Sequence, residues 1–176
     1  MKRIILRAAA LCMALFTFAA AQAQDSALPK AVSDVQLLSL DGTPTNLPHF
    51  GEKHLLIFYV DPDHHKQNEA FTYELEENGR AHSDNIYAFG IMNLKDAPMV
   101  PNALARKLAA KRTAKNGALV LADQDRVLQT AWGLGKCNNL FVLLFVSNEG
   151  ELLFMRKGEL TDADKEAFYE VLDAYR

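Results

Sequence analysis

Two short apolar runs constrain what this chain can fold into more than any other feature of its sequence. The run His54–Val60 (HLLIFYV) is apolar after its first residue, and Leu140–Val146 (LFVLLFV) is apolar throughout. A strand with one face in water alternates apolar and polar residues, whereas a strand covered on both faces does not need to alternate. The two runs therefore predict central strands of a sheet that is covered on both faces.

The remaining patterns place strands and helices in an alternating order, which indicates the α/β class. Apolar and β-branched runs bounded by turn residues predict further strands at 35–40, 45–47, 85–92, 118–122 and 151–156. Helical spacing and end signals predict helices at 64–78, 101–115, 126–132 and from Thr161 onwards. In the last helix Thr161 is the predicted cap, Asp164 follows three residues later, and apolar residues recur at helical spacing.

The first 23 residues have the features of a secretory signal peptide. Basic residues at positions 2, 3 and 7 precede an uncharged apolar stretch, Ala8–Ala20, and Ala21-Gln22-Ala23 has the small-x-small form of a cleavage site. The apolar stretch is too short for a membrane-spanning anchor. We therefore expect a periplasmic or secreted protein with no transmembrane segment after cleavage. A lead-in at 24–34 would precede one domain at 35–176.

Charge and cysteine content exclude several classes of protein. The net charge is −3, and loss of three of the 19 basic residues but none of the 22 acidic ones with the signal peptide makes it −6. A generally basic nucleic-acid binder is therefore excluded. Cys12 would leave with the signal peptide, so Cys137 would be the one mature cysteine and an internal disulfide could not form. Phosphate-binding glycine loops and nucleotide fingerprints are absent, and we expect no cofactor.

The order of elements and several segments resemble the thioredoxin-like superfamily in its peroxiredoxin and TlpA style. The segments are LVLADQDRVLQTAWGL (119–134) and LFVLLFVSNEGEL (140–152). IMNLKDAPMVPN (91–102), RVLQTAWGL (126–134), VSNEGELLFMRKGELT (146–161) and the closing helix are similar to the YtfJ-like branch of exported bacterial proteins. The resemblance implies a thioredoxin-like fold, with a central mixed sheet flanked by helices and an N-terminal β-hairpin extension.

The chain departs from this superfamily at its redox site. Thioredoxin-like oxidoreductases carry Cys-x-x-Cys between the first central strand and its helix, where the helix N-terminus lowers the pKa of the thiol. Here that stretch is Tyr59–Lys66 (YVDPDHHK), and Lys136–Phe141 lacks the usual cis-proline. The sequence therefore predicts a redox-inactive protein, more a binding module for a protein or small ligand than an enzyme.

The densest polar cluster at this place consists of Asp61, Asp63, His64 and His65. In one interpretation an aspartate caps the helix and Pro62 lies in its first turn. The capping interpretation predicts no bound metal. In the alternative interpretation the four side chains bind a divalent metal ion. In thioredoxin-like folds the loop before the second apolar strand faces this helix start. Cys137 would then lie near the histidines, as part of a metal site or a Cys–His pair, or it would be an inert thiol.

A basic helix is predicted in this acidic chain, with Arg106, Lys107, Lys111, Arg112 and Lys115. Such a helix is compatible with contact to an anionic lipid headgroup or an acidic partner. We favour the simpler hypothesis of a solvated face that lies opposite Leu104 and Leu108, which are one turn apart.

Overall fold

The structure is a computed structural model that describes residues 28–81, 83–97, 101–114 and 117–176. Its strands are β1 Lys30–Ala31, β2 Gln36–Leu38, β3 Pro44–Asn46, β4 His54–Val60, β5 Ile86–Asn93, β6 Val120–Asp123, β7 Phe141–Val146 and β8 Glu151–Lys157. Its α-helices are α1 Glu69–Glu77, α2 Asn102–Thr113, α3 Val127–Ala131 and α4 Asp162–Ala174. The predicted signal peptide lies outside the described residues, as does Lys115.

One mixed sheet contains the described strands in the order β1-β8-β7-β4-β5-β6-β2-β3. The strands β4, β5 and β6 are parallel, whereas β7 is antiparallel to β4, and β2 and β3 form an antiparallel hairpin. The two apolar runs lie side by side in the middle as β4 and β7, and β7 is buried at every position. The predictions of two central strands, a mixed sheet and an N-terminal hairpin are confirmed.

Both faces of the sheet are covered, as two buried runs require. On one face Leu56 and Phe145 of the sheet pack with α1 and α4, which contribute Phe71, Leu75, Phe168 and Leu172. On the other face Ile57 and Tyr59 pack with α3 and the N-terminal hairpin, through Leu37, Leu128 and Trp132. Trp132 also donates a hydrogen bond from Nε1 to the Ser33 carbonyl, over 2.8 Å. Successive side chains of the uninterrupted apolar run in β4 therefore contribute to two separate cores, one on each face of the sheet.

The start of α4 is the predicted capping box. Asp164 N–H donates to Thr161 Oγ1 over 3.2 Å, and Thr161 N–H donates to Asp164 Oδ2 over 3.0 Å. Arg156 Nε on β8 also donates to Asp164 Oδ1, over 2.8 Å. The cap thus fixes both the first turn of α4 and its position against the sheet.

The predicted continuous helix at 64–78 is wrong at its start. A 3₁₀ turn spans Pro62–His64, and α1 begins only at Glu69. The break occurs at Asn68, whose φ of 62° is left-handed. Its side chain accepts from Leu160 N–H over 2.9 Å and donates to the Gly158 carbonyl over 2.8 Å. Contacts some 90 residues away therefore override the local helical pattern.

The predicted inward face of α2 is also wrong. Leu104 and Leu108 are 47% and 51% exposed, whereas Ala105 and Ala109 lie on the side of the sheet. The two leucines are therefore exposed to solvent together with Lys107 and Lys111. The predicted solvated basic face is confirmed at Lys107 and Lys111, whereas Leu104 and Leu108 do not form a packed face opposite to it.

The N-terminal lead-in contains a short strand that was not predicted. Lys30 and Ala31 pair with Leu152 and Glu151 at the β8 edge of the sheet. Two residues carry too little pattern to be recognised as a strand from sequence. The pairing attaches the lead-in to the same domain as the rest of the described chain.

Lowering the pH is expected to destabilise the fold through His54. The ring lies against Phe145 and Tyr175, and its Nδ1 accepts from Asn148 N–H over 3.0 Å. Burial lowers the pKa of His54 below its usual 6.5, and the nearby Glu149 carboxylate opposes this shift in part. The unfolded chain therefore takes up the proton first, and the free energy of unfolding falls as the pH drops below about 6.5.

Urea denaturation of wild type and His54→Gln between pH 7.5 and pH 5 measures this contribution, because a glutamine oxygen can still accept from Asn148. The fall in stability over this range should be smaller in His54→Gln. Parallel curves for the two proteins would contradict the prediction.

Candidate functional site

The turn after β4 is built around the carboxylate of Asp61. This side chain is completely buried, although it is ionisable. Its Oδ1 accepts from Asp63 N–H over 3.0 Å and caps the 3₁₀ turn, as the capping interpretation predicts. Its Oδ2 accepts from Asn139 N–H over 2.8 Å, and Asp61 N–H donates to the Leu140 carbonyl over 3.2 Å. Asp61 thus braces the turn against the loop before β7.

A second brace joins the same two segments. Gln67 lies between the 3₁₀ turn and α1, and its Oε1 accepts from Phe141 N–H over 2.7 Å. The backbone N–H groups of Asn139 and Phe141 are therefore both bonded to side chains from the segment after β4. The expected approach of this loop to the helix start is confirmed, and the contact is made by hydrogen bonds of the chain itself.

The other members of the predicted cluster face solvent. Asp63, His64 and His65 are exposed, and His65 Nδ1 lies 2.9 Å from the Pro62 carbonyl oxygen. Among the residues described by the structure, no group of three or more His, Cys, Asp and Glu side chains is arranged to hold a metal ion. Asp61 points to the loop before β7, and its neighbours along the turn point to water.

Cys137 lies in the apolar core on the Tyr59 face of the sheet. Its side chain is completely buried, and its Sγ donates to the Gly135 carbonyl over 3.6 Å. Burial raises the pKa of the thiol to about 11, so that it is protonated at neutral pH. Cys137 belongs to the buried core cluster on this face, whereas His64 and His65 are exposed. The structure thus does not bring the thiol and the two imidazoles together.

A buried polar cluster that was not predicted from the sequence lies at the carboxyl ends of the parallel strands. Asp123, at the end of β6, accepts from Val127 N–H over 2.7 Å and from Leu128 N–H over 3.0 Å, and so caps α3. Tyr59 of β4 donates its hydroxyl to the same carboxylate over 3.2 Å. Burial, followed by the charge of Asp123, raises the pKa of Tyr59. Its phenol therefore acts as a fixed hydrogen-bond donor.

The cluster continues at the end of β5. Asn93 is completely buried and donates from Nδ2 to Asp96 Oδ2 over 2.6 Å. Asp96 pairs with Arg126, and this hydrogen bond holds the pKa of the carboxyl below its usual value. The sequence feature that indicates this cluster is a polar residue at the end of each of two apolar strands, Asn93 in β5 and Asp123 in β6. Because the carboxyl ends of parallel strands share one edge, these residues meet there.

A pocket of about 410 Å³ opens beside the 3₁₀ turn, on the face of the sheet opposite to Tyr59 and Cys137. Strand residues form its floor and α2 forms one wall, while Asp63 and His65 lie at the end next to the 3₁₀ turn. The volume is within the usual range for small-molecule sites.

Solved structures with the same arrangement of strands and helices are thioredoxin-like proteins. The exposed lipoprotein thioredoxin Etrx1 of Streptococcus pneumoniae superposes with a TM-score of 0.60 at 18% identity, over 81% of this chain and 99% of that one. A putative thiol:disulfide interchange protein DsbE from Chlorobium tepidum gives 0.56 at 14% identity, over 84% and 96%. The 2-Cys peroxiredoxin of Plasmodium vivax gives 0.54 at 15% identity, over 82% and 93%. The chain has the thioredoxin-like fold.

No protein-family model and no curated protein matches the sequence. No helix in the described ranges is long and apolar enough to cross a membrane.

Proposed function

We propose that this protein is an exported member of the thioredoxin-like superfamily, related to its YtfJ-like branch, that binds a protein or a small ligand and does not exchange disulfides. The observation that carries the proposal is the brace made by the buried Asp61 carboxylate. An exchange catalyst presents a thiolate at the helix start and leaves the facing loop open to its substrate. Here a carboxylate occupies that place and bonds the loop instead.

The chemistry of the remaining thiol supports the same proposal. A thiolate is the attacking species in disulfide exchange, and Cys137 is a buried thiol with a raised pKa. Cys137 lies before a strand and not at a helix N-terminus, so no helix dipole favours its ionised form. Release of a mixed disulfide also needs a resolving thiol, and the predicted mature chain has none.

The purified mature protein is therefore expected to show no catalytic turnover of disulfides. The assay follows reduction of a small disulfide-bonded protein substrate in the presence of excess dithiol, with wild type and Cys137→Ser compared at equal concentration. Both proteins should leave the rate at the level of the dithiol alone. Multiple turnovers by wild type that disappear in Cys137→Ser would refute the proposal and identify Cys137 as the catalytic residue.

Binding activity would reside in the pocket beside the turn. The pocket lies beside the turn after β4, where the resemblance predicts the dithiol of related enzymes and this sequence has no cysteine. A protein that keeps a site of this size, while its thiol is buried on the other face, is suited to holding a molecule and not to transferring electrons.

A further inference from the structure

The floor of the pocket is formed at a glycine in the middle of a central strand. Gly90 of β5 lies between Phe58 of β4 and Val120 of β6, and all three line the pocket. Side chains from α2, including Ala105 and Ala109, line it from the other side. Because Gly90 has no side chain, the space between the helix and the sheet remains unfilled above it.

Backbone geometry does not require this glycine. Gly90 is not among the residues with a left-handed φ. A Cβ atom added there would meet Val120 Cγ2 at 3.3 Å, a contact that a small movement of that side chain relieves, and other atoms only at 3.9 Å. Glycine in a strand interior lowers stability and often marks a close approach of a ligand. The geometry therefore favours a binding role for this position.

The lining of the pocket is mostly apolar, and its polar groups lie mainly at one end. Asp63 and His65 mark the end next to the 3₁₀ turn, and the Thr113 hydroxyl on α2 is engaged by the Ala109 carbonyl over 3.1 Å. Leu108 lines the pocket and is half exposed, so the apolar surface continues from the pocket to the outer side of α2. A long unbranched apolar chain fits such a surface better than a compact polar molecule does.

Charge on α2 indicates which head group such a chain would carry. The helix contains four basic residues and no acidic residue, in a chain whose net charge is negative. Lys107 and Lys111 are exposed and flank Leu108 in sequence. The carboxylate of Asp63 disfavours an anion at the other end of the pocket, so an anionic head group is best placed at α2.

We propose that this pocket binds an anionic amphiphile, with its acyl chain above Gly90 and its head group beside Lys107 and Lys111 of α2. The inference rests on the proposed binding function and names its ligand class. The chemistry is shared by a free fatty acid and by an anionic lipid in a bilayer.

Calorimetric titration of the wild-type protein with decanoate and decylammonium tests the assignment directly, because the two probes differ only in the head group. Decanoate should bind about ten-fold or more tightly than decylammonium, the effect of one favourable charge contact. The double variant Lys107→Gln, Lys111→Gln should lose this preference. Equal or tighter binding of decylammonium by wild type would overturn the assignment.

The variant Gly90→Leu places a side chain on the floor of the pocket and should weaken decanoate binding by about ten-fold or more. Its thermal unfolding temperature should not fall, since leucine is favoured over glycine in a strand. The matched control Ala103→Leu adds the same side chain on the exposed side of α2 and should leave decanoate affinity unchanged. Unchanged affinity in folded Gly90→Leu would overturn the pocket as the site.

Vesicles of phosphatidylcholine with and without phosphatidylglycerol separate the two sources of the ligand. If decanoate competes with vesicle binding, the pocket is supported as the site that binds the lipid. If decanoate does not affect vesicle binding, the pocket is overturned as that site in favour of a contact at the protein surface. Failure to bind decanoate in the absence of disulfide turnover would overturn this inference alone. Disulfide turnover would overturn the proposed function itself.

Discussion

Replacing Asp61 by alanine is expected to lower the free energy of unfolding by about 3 kcal/mol. The buried carboxylate accepts two backbone N–H groups, from Asp63 at 3.0 Å and from Asn139 at 2.8 Å. Each bond to a charged acceptor contributes about 1.5 to 3 kcal/mol, and both donors would lose their partner inside the protein. Urea denaturation followed by circular dichroism measures the change.

The neighbouring variant Asp63→Ala is the control for this measurement. Asp63 lies two residues away in the same turn, but its side chain is exposed. Its replacement should change the free energy of unfolding by no more than about 0.5 kcal/mol, as for most surface substitutions. Equal effects of the two variants would show that the brace between the turn and the loop before β7 does not stabilise the fold.

Replacing Asp123 by alanine is also expected to cost about 3 kcal/mol, for a different reason. Its carboxylate caps α3 through Val127 and Leu128, and it accepts the buried hydroxyl of Tyr59. Loss of a cap costs up to about 2 kcal/mol, and a buried hydroxyl without its acceptor adds about 1 to 3 kcal/mol. Thermal and urea unfolding of the variant report the total.

Two further variants separate these contributions. Tyr59→Phe removes only the hydroxyl and leaves the cap of α3 in place, so its expected cost is about 1 kcal/mol. Asp125→Ala removes an exposed carboxylate from the same turn, and its expected effect stays within about 0.5 kcal/mol. A cost of Asp123→Ala no greater than that of Tyr59→Phe would contradict the proposed cap.

The two buried aspartates join different segments of the chain at one edge of the sheet. Asp61 joins the turn after β4 to the loop before β7, and Asp123 joins the end of β6 to α3 and to Tyr59. Both carboxylates lie at the edge of the sheet where the parallel strands end. The hydrogen bonds of the two buried carboxylates hold the loops at this edge in place. We infer that the pocket beside this edge binds a ligand.

Local patterns were sufficient wherever one segment carried its own signal. The seven residues of β4 and the six residues of β7 form strands that are covered on both faces. An uninterrupted apolar run in a short strand has side chains on both faces that avoid water, so both faces are buried. The start of α4 followed from Thr161 and Asp164, whose side chains satisfy N–H groups only three residues away. Capping by Asp61 was open to prediction for the same reason, since Asp63 N–H is its near neighbour.

The other features depend on partners far along the chain, and only the tertiary structure decided them. Asp61 is buried because Asn139, 78 residues later, supplies its second donor, and α1 begins late because Asn68 bonds to residues about 90 positions away. The sequence around Asp61 or Asn68 does not indicate which distant residue each of them bonds. Likewise, Leu104 and Leu108 of α2 are half exposed although their spacing predicts one packed face, and Ala105 and Ala109 line the pocket with strand residues.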